Sequence, residues 1–271
     1  MTDILQQIFE TIKSKKAISN LHIDSLKLSR FTLIQLSDKS IGSAWNYSIN
    51  KKYPEEKSIT RLWAQLKDKN DPNSLSIKTA ILSALSQNLL FDKSLKTRKI
   101  KYAGKPWYRP DPVYNILKKC HSILIIGEGG IYPAIFEYDV PTIRIIDLRY
   151  NDETELIKAQ KRLQNNITKY NFKGEVKLIT TMEYSAAIWI TGSTLCNNTF
   201  KELIPHFKKC KKVILQGPSC SVFPKALFDI GVTDILTPIK KIDELTVQYN
   251  EQVFDRNYVH IRPKRSFWGS L

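Results

Sequence analysis

The sequence is poor in several features that would have announced a function. No stretch reaches the run of about 18 apolar residues that a membrane-crossing helix requires, so no membrane partner is expected. The opening residues, MTDILQQIFETIKSKK, carry an acid at Asp3 and helical periodicity. They lack a basic stretch followed by a long apolar one, so they do not read as a signal peptide, and a cytoplasmic location is expected. Cysteine is confined to Cys120, Cys196, Cys210 and Cys220, with no C-x-x-C spacing of the zinc or redox kind. Free thiols in a reducing compartment follow. The histidines, His22, His121, His206 and His260, are scattered. There is no G-x-S-x-G elbow, no P-loop and no H-E-x-x-H, so the catalytic residues stay unassigned.

Acidic residues are also outnumbered. Against 42 Lys and Arg stand 26 Asp and Glu, a net charge of +16. Between Lys93 and Arg109 lie Lys96, Arg98, Lys99, Lys101 and Lys105 with no acid, interleaved with Tyr102, Trp107 and Tyr108. Basic residues mixed with aromatics suit single-stranded nucleic acid, by phosphate contact and base stacking. The same composition suits a solvated linker, and no helix-turn-helix, RNP-like or zinc-finger pattern accompanies it. Nucleic acid is therefore the less favoured partner.

What the chain does have is hydrophobic patterning. Ile4, Leu5, Ile8, Phe9 and Ile12 fall at helical spacing. FTLIQLSD and SIGSAWNYSI are strand-like and meet at a polar turn around Ser37, Asp38 and Lys39, which predicts a hairpin, with an earlier strand near Leu21 to Leu28. SITRLWAQLKD and SLSIKTAILSALSQNLL predict helices, the second with small residues that allow close packing. This is a small α+β unit over residues 1–112, ending in a basic linker at 91–112. Residues 113–271 alternate strand and helix instead. HSILIIG, TIRIIDLR, EVKLIT, AAIWITG, KKVILQG and a short DILTP are the expected strands, with ETELIKAQKRLQNNITKY as a helix between the second and third. The predicted fold class is α/β, a Rossmann-like doubly wound parallel sheet preceded by the smaller α+β domain.

Ligands of such sheets bind outside the carboxyl ends of the strands, so the strand-to-helix turns are the places to read. IIGEGG places Gly127, Glu128, Gly129 and Gly130 after the first strand, where glycines let backbone N–H groups approach an anion. The pattern is not G-x-G-x-x-G, and Glu128 would oppose a phosphate; a tight turn alone explains it as well. Asp147 ends the second strand, 20 residues on, where an acid accepts hydrogen bonds from ribose hydroxyls. A helix-entry acid is the plainer reading. Together these residues admit a nucleotide-type cofactor such as NAD or S-adenosylmethionine. TGSTLCNNT gathers Gly192, Ser193, Thr194, Asn197 and Asn198, and Thr199 with Glu202 fits a capping box for the next helix. Gly217, Pro218 and Ser219 repeat the idea one strand later, so the two turns are expected to face each other and to bring Cys196 near Cys220. Two thiolates would suit a soft metal ion; two inert core cysteines are the alternative.

The stretch from AAIWITGSTLCNNTF to GVTDIL resembles the heavy-metal-chelation family of uncharacterised prokaryotic proteins. The shared motif is Thr191, Gly192, Ser193, Leu195, Asn197 and Thr199, then Gly217, Pro218 and Ser219, then Gly231 and Val232. FTLIQLSDKSIGSAWNYS and SIKTAILSALSQNLL are similar to that family's leading domain, which resembles the enolase N-terminal fold. The resemblance implies two domains, a homodimer, and a site in the cleft between the domains for a metal, a metal complex or a small polar ligand. Cys196 and Cys220 depart from the family pattern, which has apolar or small residues there, so they are not the implied ligands.

Overall fold

The structure of the protein, a computed structural model, describes residues 3–48, 53–90, 97–99, 120, 122–127, 142–147, 167–171, 187–243, 246–255 and 259–261. Helix α1 (Ile4–Lys13) forms where the apolar spacing predicts it, and its five periodic residues are buried. Asp3 caps it by accepting the Leu5 N–H at 2.9 Å. Strands β1 (Ile23–Leu28), β2 (Phe31–Leu36) and β3 (Ile41–Trp45) make an antiparallel sheet in that order. The predicted hairpin turn is present. Lys39 adopts φ 66°, and Asp38 Oδ1 accepts from the Ser40 N–H and hydroxyl at 3.0 and 2.5 Å. Helices α2 (Ile59–Leu66) and α3 (Pro72–Leu90) follow, as the sequence predicts.

β3 lies at the sheet edge, where outward N–H groups need partners. Side chains replace the missing strand. Gln87 Oε1 accepts from the Ile41 N–H, Ser83 Oγ from the Ser43 N–H at 3.2 Å, and Ser219 Oγ from the Trp45 N–H at 2.9 Å. The first two come from α3, whose small residues let it press against the strand. The third comes from the far end of the chain.

The large sheet holds β5 (Ser122–Ile126), β6 (Thr142–Asp147), β7 (Ile167–Asn171), β8 (Ala187–Thr191), β9 (Lys212–Gln216) and the start of β10 (Asp234–Asp243), all parallel. Their order is β7-β6-β5-β8-β9-β10. Apolar runs such as Ile123–Ile126 and Ala187–Ile190 are buried, as expected of parallel strands covered on both faces. α4 (Phe200–Leu203), continued by a 3-10 turn, and α5 (Lys225–Asp229) follow β8 and β9. α1 packs on both α3 and α5, and one apolar cluster runs through both predicted domains.

Three expectations change. Ile167–Asn171, which begins in the last residues of the stretch predicted as a helix and runs one past it, is a parallel strand, while EVKLIT lies outside the described residues. Among the described residues β7 is the last strand on this side of the sheet, and its polar residues hide it from an apolar-run criterion. The sixth strand is not short. β10 continues past its parallel pairing at Leu236 and returns antiparallel as β11 (Thr246–Asp255), which pairs with β12 (Val259–Ile261). Within the stretch predicted as a linker, Thr97–Lys99 is strand β4, pairing with β12; the other basic and aromatic residues between Lys93 and Arg109 lie outside the described residues.

Candidate functional site

The strand order fixes where the sheet opens. From β5 the chain adds β6 and β7 on one side, then returns to add β8, β9 and β10 on the other. The order reverses between β5 and β8, and ligand crevices form at the carboxyl ends there. The residues at that edge, read across the sheet, are Asn171, Asp147, Gly127, Thr191, Gln216 and Leu236.

Gly127 has φ +78°, and its N–H donates to the Ile146 carbonyl at 2.7 Å, one residue before buried Asp147. The Gly127 turn thus sits beside the end of β6, next to Asp147. A Cβ at Gly127 would lie 2.2 Å from Thr191 Cγ2, so the β8 threonine fills the space over the turn. Glu128, Gly129 and Gly130 lie outside the described residues.

The two later turns face each other as expected. Gly192 opens a 3-10 turn (Gly192–Leu195), and a Cβ there would stand 2.9 Å from the Cys220 nitrogen. Gly217 holds φ +117°, a region open in practice only to glycine. Its carbonyl accepts from Cys220 Sγ at 2.8 Å and from Thr237 Oγ1 at 3.1 Å. Pro218 starts the following 3-10 turn. Most of the polar residues here hold the turns themselves. Thr194 is buried and donates to the Thr191 carbonyl at 2.8 Å. Asn197 Oδ1 accepts from the Thr199 N–H at 3.2 Å and its hydroxyl at 2.7 Å, and Asn198 takes φ 65°. The predicted capping box is absent. Thr199 already has helical backbone angles, so its side chain makes no cap, and Asn197 performs the local role.

Ser219 is buried and joins the two segments through the Trp45 N–H. Ser193 remains partly open, with Oγ 3.2 Å from Thr191 Oγ1 and accepting from the Tyr47 hydroxyl at 3.0 Å. Tyr47 is 39% exposed. It follows β3, so the mouth of the site is shared by residues from both segments. Motif spacing and periodicity do not single out Tyr47. The aromatic-amide-aromatic run WNY at a strand end was the available signal.

Cys196 and Cys220 are both fully buried. Burial pushes the Cys196 thiol up to about 11, only partly offset by hydrogen bonding with Ser219 and the Trp45 backbone. Burial raises Cys220 as well, and proximity to Cys196 adds to it. Neutral thiols are poor ligands for a soft metal. Among the described residues no three His, Cys, Asp or Glu side chains form a group able to hold a metal ion. The described side chains at these turns do not fit a bare heavy-metal ion. The folded protein favours the neutral Cys196 thiol. That stabilisation is complete below the ordinary value of 9.0 and is lost as pH rises through about 11. Melting temperature is expected to fall across that window, and a Cys196→Ala variant to fall less steeply.

Fold and site together define an α/β protein with a Rossmann-order sheet and a smaller antiparallel sheet docked over its carboxyl edge. Residues 141–249 match the model of the DUF364 family, described as "Putative heavy-metal chelation", in agreement with the resemblance drawn from the turn motifs. A DUF364 protein of unknown function from Pyrococcus horikoshii is similar at 14% identity, with TM-score 0.61 and 89% of each chain covered. Another, from Desulfitobacterium hafniense, is similar at 11% identity, with TM-score 0.61 over 93% of this chain and 99% of that one. These likenesses show the fold. No curated protein matches the sequence. No described helix is long and apolar enough to cross a membrane.

Proposed function

We propose that the protein binds a small oxygen-rich ligand, a metal chelate in preference to a bare metal ion, at the carboxyl edge of the sheet beneath the end of β3. The hydrogen bond from Tyr47 to Ser193 carries this reading. It spans 146 residues of sequence and stands beside the strand-order reversal at Gly127 and Thr191. Hydroxyl and amide donors are hard and neutral, and they recognise ligand oxygens better than they hold a soft cation. In this reading Ser193, Thr191 and Tyr47 contact the ligand. Gly192, Thr194, Asn197, Asn198, Gly217, Pro218 and Ser219 shape the two turns. Calorimetric titration with ferric citrate, and with nickel and zinc ions alone, tests it. Chelate binding is expected, weakened about five-fold by Tyr47→Phe, the value of roughly one hydrogen bond. Bare ions bound as tightly as the chelate would overturn it.

The neighbouring positions of Gly127 and Asp147 favour a second reading, a nucleotide-type cofactor along the same edge. Binding of S-adenosylmethionine or NAD in the same titration, lost in Asp147→Asn, would select it.

A further inference from the structure

We infer that the mouth of this site is an anion subsite, in which Arg30 and the Tyr47–Ser193 hydroxyl pair receive a carboxylate-bearing ligand. The inference rests on the ligand site proposed above and names the charge of what it takes.

Four observations converge. Arg30 lies in the turn between β1 and β2, and its carbonyl accepts the Asn46 N–H at 3.1 Å, which fixes that turn beside the end of β3. Its guanidinium carbon stands 4.7 Å from the centroid of the Trp45 ring. An aromatic face positions a guanidinium without neutralising it. Among the described residues no carboxylate pairs with Arg30; the acids Asp24 and Asp38 lie at the opposite end of the small sheet, where Lys39 and Lys16 engage them. Among the described residues nothing takes up the in-plane donors of Arg30. Second, the row continues. The Trp45 and Tyr47 rings are 6.2 Å apart, and the Tyr47 hydroxyl reaches Ser193. Cation, aromatic platform and hydroxyl pair are thus contiguous, and together they offer mostly donors. Third, Asn46 stands in the chain between the two rings. Its Oδ1 accepts the Ser48 N–H at 2.9 Å, which fixes the amide orientation, and its buried Nδ2 has no acceptor among the described residues. The held amide anchors the chain between the two rings and fixes their spacing. Fourth, the net charge of +16 draws anions toward the surface as a whole.

A carboxylate fits this set better than a neutral polyol. A planar guanidinium binds it through two parallel N–H donors, and charge-assisted hydrogen bonds are about twice as strong as neutral ones. A ligand with several carboxylates would place one on Arg30 and leave others for the hydroxyl pair, or for a metal it carries.

The test uses the full chain and metal-free citrate, ferric citrate and the neutral polyol ribitol, titrated by calorimetry at low salt and at 200 mM salt. Arg30→Gln, Arg30→Lys and Tyr47→Phe are compared, each checked by melting temperature. Citrate is expected to bind in both forms and more tightly than ribitol. Arg30→Gln is expected to weaken citrate at least ten-fold, with partial recovery in Arg30→Lys, and added salt is expected to weaken the wild type more than Arg30→Gln. If Arg30→Gln binds citrate like the wild type while Tyr47→Phe weakens it, the ligand site stands and its anion character is overturned. Ribitol bound as tightly as citrate overturns it too. If neither form of citrate nor ribitol binds the wild type, the proposed site falls together with this inference. Should Arg30→Gln lower the melting temperature substantially, the Arg30→Lys comparison and the salt response of the wild type still decide.

Discussion

Replacing Gly42 with alanine is expected to lower the melting temperature by about 10 °C, from a loss of roughly 3 kcal/mol at a few degrees per kcal/mol. The added Cβ would lie 1.9 Å from the Ala80 carbonyl oxygen and 2.4 Å from the Ala84 nitrogen. Both are backbone atoms of α3, so no side chain can swing aside. The helix or the strand has to withdraw. Withdrawal stretches the bonds that replace a neighbouring strand at the β3 edge. These include Ser83 to the Ser43 N–H at 3.2 Å and Ser76 to the Trp45 carbonyl at 2.6 Å. The clash and the lost edge bonds together put the cost at the upper end of what overpacking produces. β3 also leads into Trp45, Asn46 and Tyr47, so ligand affinity should fall with stability. A thermal melt is the measurement, and a change under 2 °C would disprove the backbone-to-backbone approach.

A second large effect is expected at the switch point. Gly127→Ala should cost roughly 2 to 3 kcal/mol, combining left-handed backbone strain of about 1 to 2 kcal/mol with overlap onto Thr191. Its Cβ would stand 2.2 Å from Thr191 Cγ2 but 3.2 Å from Thr191 Cβ. Thr191→Ser removes the first contact and keeps the hydroxyl that faces Ser193. In the serine background the same alanine should cost about 1 kcal/mol less, a coupling that a double-mutant cycle resolves by chemical denaturation. An equal cost in both backgrounds would show that Thr191 does not close over the Gly127 turn. The cycle reads the crevice itself, because these residues end the two strands between which the order reverses.

The family match over 141–249 includes the turns at Gly192 and Gly217, the two local motifs that resembled the family in the sequence. Those turns were legible because glycine is required there for steric reasons. Gly192 touches the Cys220 backbone and Gly217 holds φ +117°, so both leave a fixed mark on the sequence. The spacing of Thr199 and Glu202 fits a capping box, but the box does not form because Asn197 takes up both the Thr199 N–H and its hydroxyl. The ligand reading of Ser219 was plausible from its turn alone. Its actual partner is the edge of a sheet 174 residues earlier.

The sequence by itself determined the central elements and their kind. Apolar runs of strand length specify β5, β6, β8 and β9, helical spacing specifies α1 and α3, and the Asp38 turn specifies the β2–β3 hairpin, because each depends on contacts within a few residues. It did not determine β7 or the long β10–β11 hairpin. Polar strands owe their conformation to a neighbour that supplies hydrogen bonds, and that neighbour is chosen by the sheet. The tertiary structure alone decided which hydroxyls build the joint and which face outward. Ser219 meets Trp45 and Ser193 meets Tyr47 only once the small sheet docks over the carboxyl edge of the large one, and contacts across such separations leave no local pattern to read.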